Sequence, residues 1–229
     1  MDSCWSLLCL GFILPAATGA RRLIDRKALN KYLRYGFIEN LDTVRHIRVG
    51  TFWKIELSVT PITWLSPIVF FILGMALNID RLVKSPLETL YHVWVFVIGV
   101  EISTLIHALG HILGGKLVRS PMNELLLTAT RGVNIYHGDQ AAISRFVHIR
   151  RAMGGPTLNL VVYGLITQLL LYRGVGFSSD LLAAIASTSL FMGAAGFLPL
   201  PSVDGQVIWR EVLHWVYAAT GSMRKKTAK

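Results

Sequence analysis

Two histidines in the middle of the chain have the spacing of a metal-binding helix. His107 and His111 are four residues apart, which on a helix places them about 6 Å apart along the axis and about 40° apart around it. Both imidazoles then lie on one face, as in the zinc-binding helix of His-Glu-x-x-His enzymes. The position after the first histidine, where that motif has glutamate, is Ala108. The sequence therefore predicts a metal-binding helix without the acid–base residue that such helices carry.

A third metal ligand is predicted near the end of a later apolar stretch. A tetrahedral catalytic zinc site uses three protein ligands and leaves the fourth position open. Asp204 follows two prolines that break the helical pattern, and an unpaired carboxylate at the end of an apolar span would be costly. An Asp-Gly pair is more often just a turn or a helix cap. Asp204 is therefore either a cap or the third ligand.

Glu101 is the only acid in the apolar run that contains the histidines. It lies about 20° from Ala108 around the helix but about 10.5 Å away along the axis. At that distance it is a weak substitute for the missing base, acting only through water molecules or a helix distortion. The favoured alternative is that Glu101 orients a neighbouring polar group or partners a histidine on another helix.

Four long stretches without lysine or arginine predict membrane-spanning helices. They contain 23, 25, 20 and 23 residues and comprise Leu57–Ile79, Tyr91–Gly115, Met153–Tyr172 and Leu181–Val203. About 20 apolar residues cross the roughly 30 Å hydrocarbon core of a bilayer. Only 16% of the residues are charged, against roughly 25% in average soluble domains. The sequence thus predicts an all-α polytopic membrane protein with four main transmembrane helices and a short apolar N-terminal segment.

The basic residues predict how these spans are oriented. Of the 23 lysines and arginines, 20 fall in alternate loops and 3 in the others, so the basic loops and the C-terminus are expected in the cytoplasm. This topology and anionic lipid headgroups account for the net charge of +10. No nucleic-acid partner is predicted, because the basic loops show little interleaving with aromatic residues. The predicted location is the cytoplasmic membrane, with the lipid bilayer as a partner.

The chain divides into four segments by composition. Residues 1–20 are expected to be a short apolar anchor or an interfacial segment, since a cleaved signal peptide would leave the basic residues that follow on the wrong side. Residues 21–56 combine a basic helix, on the membrane surface or solvated, with a small β element before the first span. Residues 57–215 form the membrane core, and residues 216–229 form a basic tail.

Three ordered motifs resemble the site-2 proteases, polytopic zinc metalloproteases that cut transmembrane substrates. The His pair matches the family's His-Glu-x-x-His motif except at Ala108. The stretch around Pro199, Pro201 and Asp204 matches Asn-x-x-Pro-x-Pro-x-x-Asp-Gly, except that Gly196 replaces the asparagine. A Gly-Pro-x-x-Asn motif that ends at Asn159 lies between them.

The resemblance implies a zinc ion held by His107, His111 and Asp204. It also implies substrate contacts at Asn159, Pro199 and Pro201. After the His helix, 122–136 would form a membrane-dipping hairpin that offers an edge strand to an unwound substrate, or else a plain cytoplasmic loop.

The predicted function is that of a site-2-protease-like intramembrane zinc metallopeptidase homologue. It would act on or bind transmembrane proteins with weak or no proteolysis, because Ala108 replaces the catalytic glutamate. One alternative is an active protease that uses an unusual acid/base group. In the same class, the sequence could be an active-site alanine variant of an active protease. Another is a small membrane transporter or assembly factor, which is disfavoured because a transporter needs polar residues along a path.

Overall fold

The computed structural model describes residues 46–128, 132–137, 139–172, 176–200 and 203–227. The predicted N-terminal segment 1–20 and the basic helix expected after it lie outside the described residues, as does Pro201. The described chain is mostly helical and carries one small β-sheet, in agreement with the coarse architecture that the sequence predicts.

The elements follow one another in an order that places strands on both sides of the His helix. The chain begins with strands β1 (Ile47–Phe52) and β2 (Ile55–Val59), then helices α1 (Leu65–Leu77), α2 (Ile79–Lys84) and α3 (Pro86–Leu117). It continues with β3 (Glu124–Leu127), β4 (Gly132–Ile135), α4 (Arg145–Leu170), α5 (Phe177–Gly196) and α6 (Asp204–Thr227). Both histidines therefore lie on α3, and Asp204 is the first residue of α6.

The predicted β element and the predicted hairpin form a single four-stranded sheet. Its order is β1-β2-β3-β4, with antiparallel pairs at both ends and a parallel β2–β3 pair in the centre. Trp53 and Lys54 join β1 to β2 with φ angles of 51° and 69°, as a tight turn between right-twisted strands requires. The sequence predicts two separate β elements. It gives no local sign of the parallel pairing, because α1, α2 and α3 separate the two strands.

The structure supports two of the four predicted spans. The helix Pro86–Leu117 and the segment Ser178–Gly196 are long and apolar enough to cross a membrane. Helix α1 is apolar but has only 13 residues, about 20 Å of helix. Helix α4 begins with several charged residues, and its apolar part is interrupted by Pro156 and Asn159. The four-span topology is therefore not confirmed.

Helices α3 and α4 pack with their backbones in direct contact. A Cβ on Gly110 would overlap the carbonyl oxygen of Gly154, and a Cβ on Gly154 would overlap the carbonyl oxygen of Gly110. Small residues permit this approach between helices in lipid. The contact presses the His face of α3 against α4.

Buried hydroxyl groups join α3 to α5. The Ser103 hydroxyl lies 2.7 Å from Thr188 Oγ1 and 3.0 Å from Ser189 Oγ, and all three residues are buried. A Cβ on Gly99 would lie 2.9 Å from Ala184 Cβ, so the helices also approach closely at this level. These contacts align α5 with α3 and so direct the chain that leads to Asp204.

Replacing Ser103 with alanine is expected to lower the free energy of unfolding by about 1 kcal/mol, the usual size of an interhelical hydrogen bond in a membrane protein. The matched control is Ser187→Ala on α5, because among the described residues the exposed Ser187 hydroxyl bonds only to carbonyls of its own helix. Reversible unfolding in detergent micelles measures both. Equal stability of the two variants would contradict a role for the hydroxyl cluster in holding α3 and α5 together.

Candidate metal centre

The side chains of His107, His111 and Asp204 converge where α3 meets the start of α6. His107 Nε2 lies 3.0 Å from both His111 Nε2 and Asp204 Oδ2, and His111 Nε2 lies 3.2 Å from Asp204 Oδ1. One ligand atom from each residue can be chosen so that all three lie within 4.8 Å of one another. Two imidazole nitrogens and a carboxylate at these distances form a set that could hold a cation.

The three residues fit a zinc ion in both donor type and spacing. Nitrogen and oxygen ligands about 2.0–2.1 Å from zinc in a tetrahedron lie about 3.3 Å from one another, close to the observed 3.0–3.2 Å. The His111 side chain is 5% exposed, whereas those of His107 and Asp204 are 20% and 22% exposed. The cluster is thus covered on one side and open on the other, as a site with a free fourth position requires.

A backbone carbonyl fixes the orientation of His111. Its Nδ1–H donates a hydrogen bond to the carbonyl oxygen of Arg151 on α4, with an N–O distance of 2.9 Å. The Nε2 atom then points into the cluster, 3.2 Å from Asp204 Oδ1. A carbonyl or carboxylate on the second ring nitrogen is the usual arrangement for a metal-ligating histidine.

The Arg151 side chain secures this part of α4. The buried guanidinium donates from Nε to the Ser120 carbonyl oxygen and from Nη1 to Gln140 Oε1, and it lies 4.0 Å from the centre of the Tyr136 ring. Burial raises the pKa of the Tyr136 phenol to about 12, so the phenol keeps its proton at neutral pH. Sequence reasoning missed Arg151, whose one distinguishing sign is its place just before the Gly154-Gly155-Pro156 stretch.

Asp204 is held as a carboxylate. Burial favours its neutral form, but the attraction of His111 and the hydrogen bonds with both histidines outweigh burial and bring the pKa of Asp204 well below its usual range. As the first residue of α6, it also benefits from the positive end of the helix dipole. An anionic oxygen therefore completes the cluster at neutral pH.

Two glycines leave the space that the centre needs. A Cβ on Gly155 would lie 2.5 Å from His111 Nε2 and 2.6 Å from His107 Nε2. A Cβ on Gly196 would lie 2.5 Å from Pro156 Cγ. The space beside Pro156 thus suits glycine, and an asparagine at position 196, as the resemblance implies, would force the proline to move.

Ala108 points into an apolar cluster between α3 and the sheet. It is 6% exposed and packs with buried side chains of the helix, the following loop and two strands: Ile112, Met122, Ile55 and Leu125. A side chain at position 108 is therefore surrounded by hydrocarbon. The interpretation of position 108 as the place of a missing catalytic base remains a prediction.

Glu101 has a partner on another helix. Its Oε1 accepts a hydrogen bond from the Ser66 hydroxyl on α1, with an O–O distance of 2.7 Å. This contact is of the kind that one of the favoured alternatives describes, in which Glu101 orients a neighbouring polar group; no histidine is its partner in this contact. The contact ties α1 to α3 and gives no support to Glu101 as a substitute base.

The three predicted substrate-contact residues lie in different environments. Asn159 is fully buried on α4, with Nδ2 3.4 Å from His107 Nδ1. Pro199 is exposed in the segment between α5 and α6. Pro201 lies outside the described residues. Of the two described residues, Asn159 adjoins the candidate metal centre.

The chain is thus a mainly helical protein with a small mixed sheet, two helices long and apolar enough to cross a membrane, and a candidate metal centre. No family model and no curated relative matches the sequence. The fold is similar to that of the site-2 protease from Methanocaldococcus jannaschii, with a TM-score of 0.54 and 20% identity over 74% of this chain and 72% of that chain. The site-2-protease-like fold predicted from the motifs is thus confirmed. At this identity the likeness concerns the fold.

Proposed function

We propose that this chain is a site-2-protease-like intramembrane zinc metallopeptidase homologue that binds transmembrane proteins and cleaves them weakly or not at all. The observation that carries the proposal is the convergence of His107, His111 and Asp204 at distances of 3.0–3.2 Å. The similar fold supports it. The ion proposed for the site is one zinc.

The side chains of the centre could supply only part of the chemistry that peptide hydrolysis needs. A bound zinc ion would supply Lewis acidity, polarising a carbonyl and acidifying water. Hydrolysis also needs a group that takes a proton from the attacking water and returns it to the leaving amine, and a positioned acid/base residue contributes about 10²–10⁴-fold. The Ala108 methyl group cannot carry a proton. Binding without efficient cleavage is therefore the proposed outcome.

The sheet provides a surface on which an extended client segment could bind. Among the described strands, β4 has a neighbour only on its β3 side, and β3 contributes Leu125 to the apolar cluster around Ala108. A client strand beside β4 would lie about 4.8 Å from it and would gain main-chain hydrogen bonds. Because a helical client must unwind to pair in this way, we propose unwound transmembrane segments as the partners.

Exposed apolar side chains support a location within the bilayer. On α1, Ile72 is 61% exposed, and Ile68 and Leu73 are also exposed; on α5, Phe191 is 74% exposed. A helix that buries little of its apolar surface within the protein is suited to contact with lipid. We propose a multi-pass protein of the cytoplasmic membrane, with its basic loops and C-terminus inside.

Zinc analysis of the purified chain tests the ligand set. The protein is expected to hold about one zinc ion, and His111→Ala or Asp204→Ala is expected to lose it because each variant removes one of three ligands. His92→Ala is the control, since His92 also lies on α3 but is exposed and outside the cluster. Elemental analysis after purification without chelators measures zinc per chain. Zinc retained in either ligand variant would refute the assignment.

A further inference from the structure

Asn159 is a fully buried amide beside the candidate metal centre. It is 0% exposed, and a buried amide is costly unless its donors and acceptor are hydrogen-bonded. Its Nδ2 lies 3.4 Å from His107 Nδ1. Its Oδ1 is buried with no hydrogen-bond partner among the described residues. In this orientation the acceptor of the amide is therefore unused.

A half-turn about the Cβ–Cγ bond exchanges Oδ1 and Nδ2 with almost no change in shape. With Nδ2 towards His107, the amide donates to Nδ1, and the neutral imidazole must carry its proton on Nε2. With Oδ1 towards His107, the imidazole carries its proton on Nδ1 and donates it to Asn159. Only the second arrangement frees the His107 Nε2 lone pair, which faces His111 and Asp204.

His111 already has the hydrogen bond that His107 would gain if Asn159 turned its Oδ1 towards the ring: its Nδ1–H donates to an oxygen atom. Its Nδ1–H donates to the backbone carbonyl of Arg151 on α4, and Asn159 lies on the same helix eight residues later. Both histidines of the cluster, His107 and His111, would then donate to oxygen atoms of α4. Such partners fix the tautomer and ring orientation of metal-ligating histidines.

We infer that Asn159 is a positioning residue whose side-chain carbonyl accepts a hydrogen bond from His107 Nδ1–H and holds His107 Nε2 towards the cation. This inference rests on the proposed zinc site. It gives Asn159 a role other than the substrate contact that the resemblance implies, because a residue with no exposed surface has none to offer a client.

Two substitutions distinguish the loss of the hydrogen-bond acceptor from a change in the shape of the side chain. Asn159→Asp keeps an oxygen acceptor, whereas Asn159→Leu keeps the branched arrangement of side-chain heavy atoms and removes the acceptor. Leucine is expected to weaken zinc binding about 10–100-fold, the usual effect of losing such a partner, and aspartate is expected to retain it within a few-fold. Thr167→Val is the control, because Thr167 lies on the same helix and its hydroxyl, within the described part of the chain, bonds only to the Tyr163 carbonyl. Competition with a fluorescent chelator measures the affinities in detergent micelles.

Nitrogen NMR of labelled histidine in the zinc-saturated full-length chain gives a second readout, which depends on neither affinity nor activity. His107, assigned through its ring-to-backbone correlations, is expected to carry a hydrogen-bonded Nδ1–H in the original protein and in Asn159→Asp, and an Nδ1–H without that bond in Asn159→Leu. An unchanged Nδ1–H signal and unchanged zinc affinity in Asn159→Leu would overturn the inference. So would loss of zinc in Asn159→Asp alone, since the amide must then present its NH₂ group. If the original protein binds no zinc, the proposed function fails as well; if it binds zinc and Asn159→Leu changes neither readout, the inference alone fails.

Discussion

Replacing Ala108 with glutamate is expected to raise cleavage of a model transmembrane substrate by about 10²–10⁴-fold. The new carboxyl group would stand next to His107 in sequence and would share the apolar surroundings of Ile112 and Met122. Hydrocarbon surroundings raise the pKa of a carboxyl group, which brings it closer to the value that a general base needs near neutral pH. Cleavage by zinc-loaded protein in bicelles measures the gain.

The control is Ala108→Gln, which has nearly the same size and buries a similar polar group but cannot take up a proton. The zinc content of both variants should match that of the original protein, because position 108 is not a ligand. If the glutamate variant binds zinc and cleaves no faster than the glutamine variant, the interpretation of Ala108 as the missing base is wrong. Rapid cleavage by the original protein would equally refute it.

Replacing Gly155 with alanine is expected to reduce zinc affinity by about 100-fold, the upper end of what changes around metal ligands cost, while leaving all three ligands in place. The added methyl would lie 2.5–2.6 Å from the Nε2 atoms of His107 and His111, so both imidazoles would have to move. A site of this kind tolerates displacements of only about 0.5 Å. The same chelator competition measures the loss.

Gly164→Ala is a matched control on the same helix, since a Cβ at that position meets nothing within 4 Å. It should keep full zinc affinity, because the added methyl group contacts nothing. It should not weaken the helix either, since alanine is the better helix former by about 1 kcal/mol. Circular dichroism at the assay temperature shows whether each variant retains its helices. A folded Gly155→Ala protein with normal zinc affinity would show that α4 does not confine the site.

The sequence alone predicted the residues that converge, because their spacing carries the signal. His107 and His111 share a helix face by the geometry of the α-helix, and Asp204 stands out as an acid at the end of an apolar run. Their mutual approach at 3.0–3.2 Å depends on helix packing, and the motifs anticipated it only through the family resemblance. The predicted ligand roles still await the zinc measurements.

The contacts around the ligands could not be predicted, because they join distant parts of the chain. The carbonyl of Arg151 that anchors His111 is a backbone group, and no side-chain pattern indicates it. Asn159 was found by its motif, but its burial beside His107 depends on how closely α3 and α4 approach. Two of the four predicted spans are not confirmed, for a simpler reason. A run without lysine and arginine shows only that basic charge is absent. It does not show where a helix begins, ends or is interrupted by proline.

The parallel pairing of β2 with β3 restricts how the chain can cross a bilayer. Hydrogen-bonded neighbours must lie on the same side of the membrane, so the segment between them must make an even number of crossings. Helix α3, with 32 residues and a length of about 48 Å, supplies one. In any bilayer that α3 crosses, α1 must supply the other, although its 13 residues fall about 10 Å short of the hydrocarbon thickness. We therefore expect the bilayer to thin locally around α1, on the flank where Glu101 bonds Ser66.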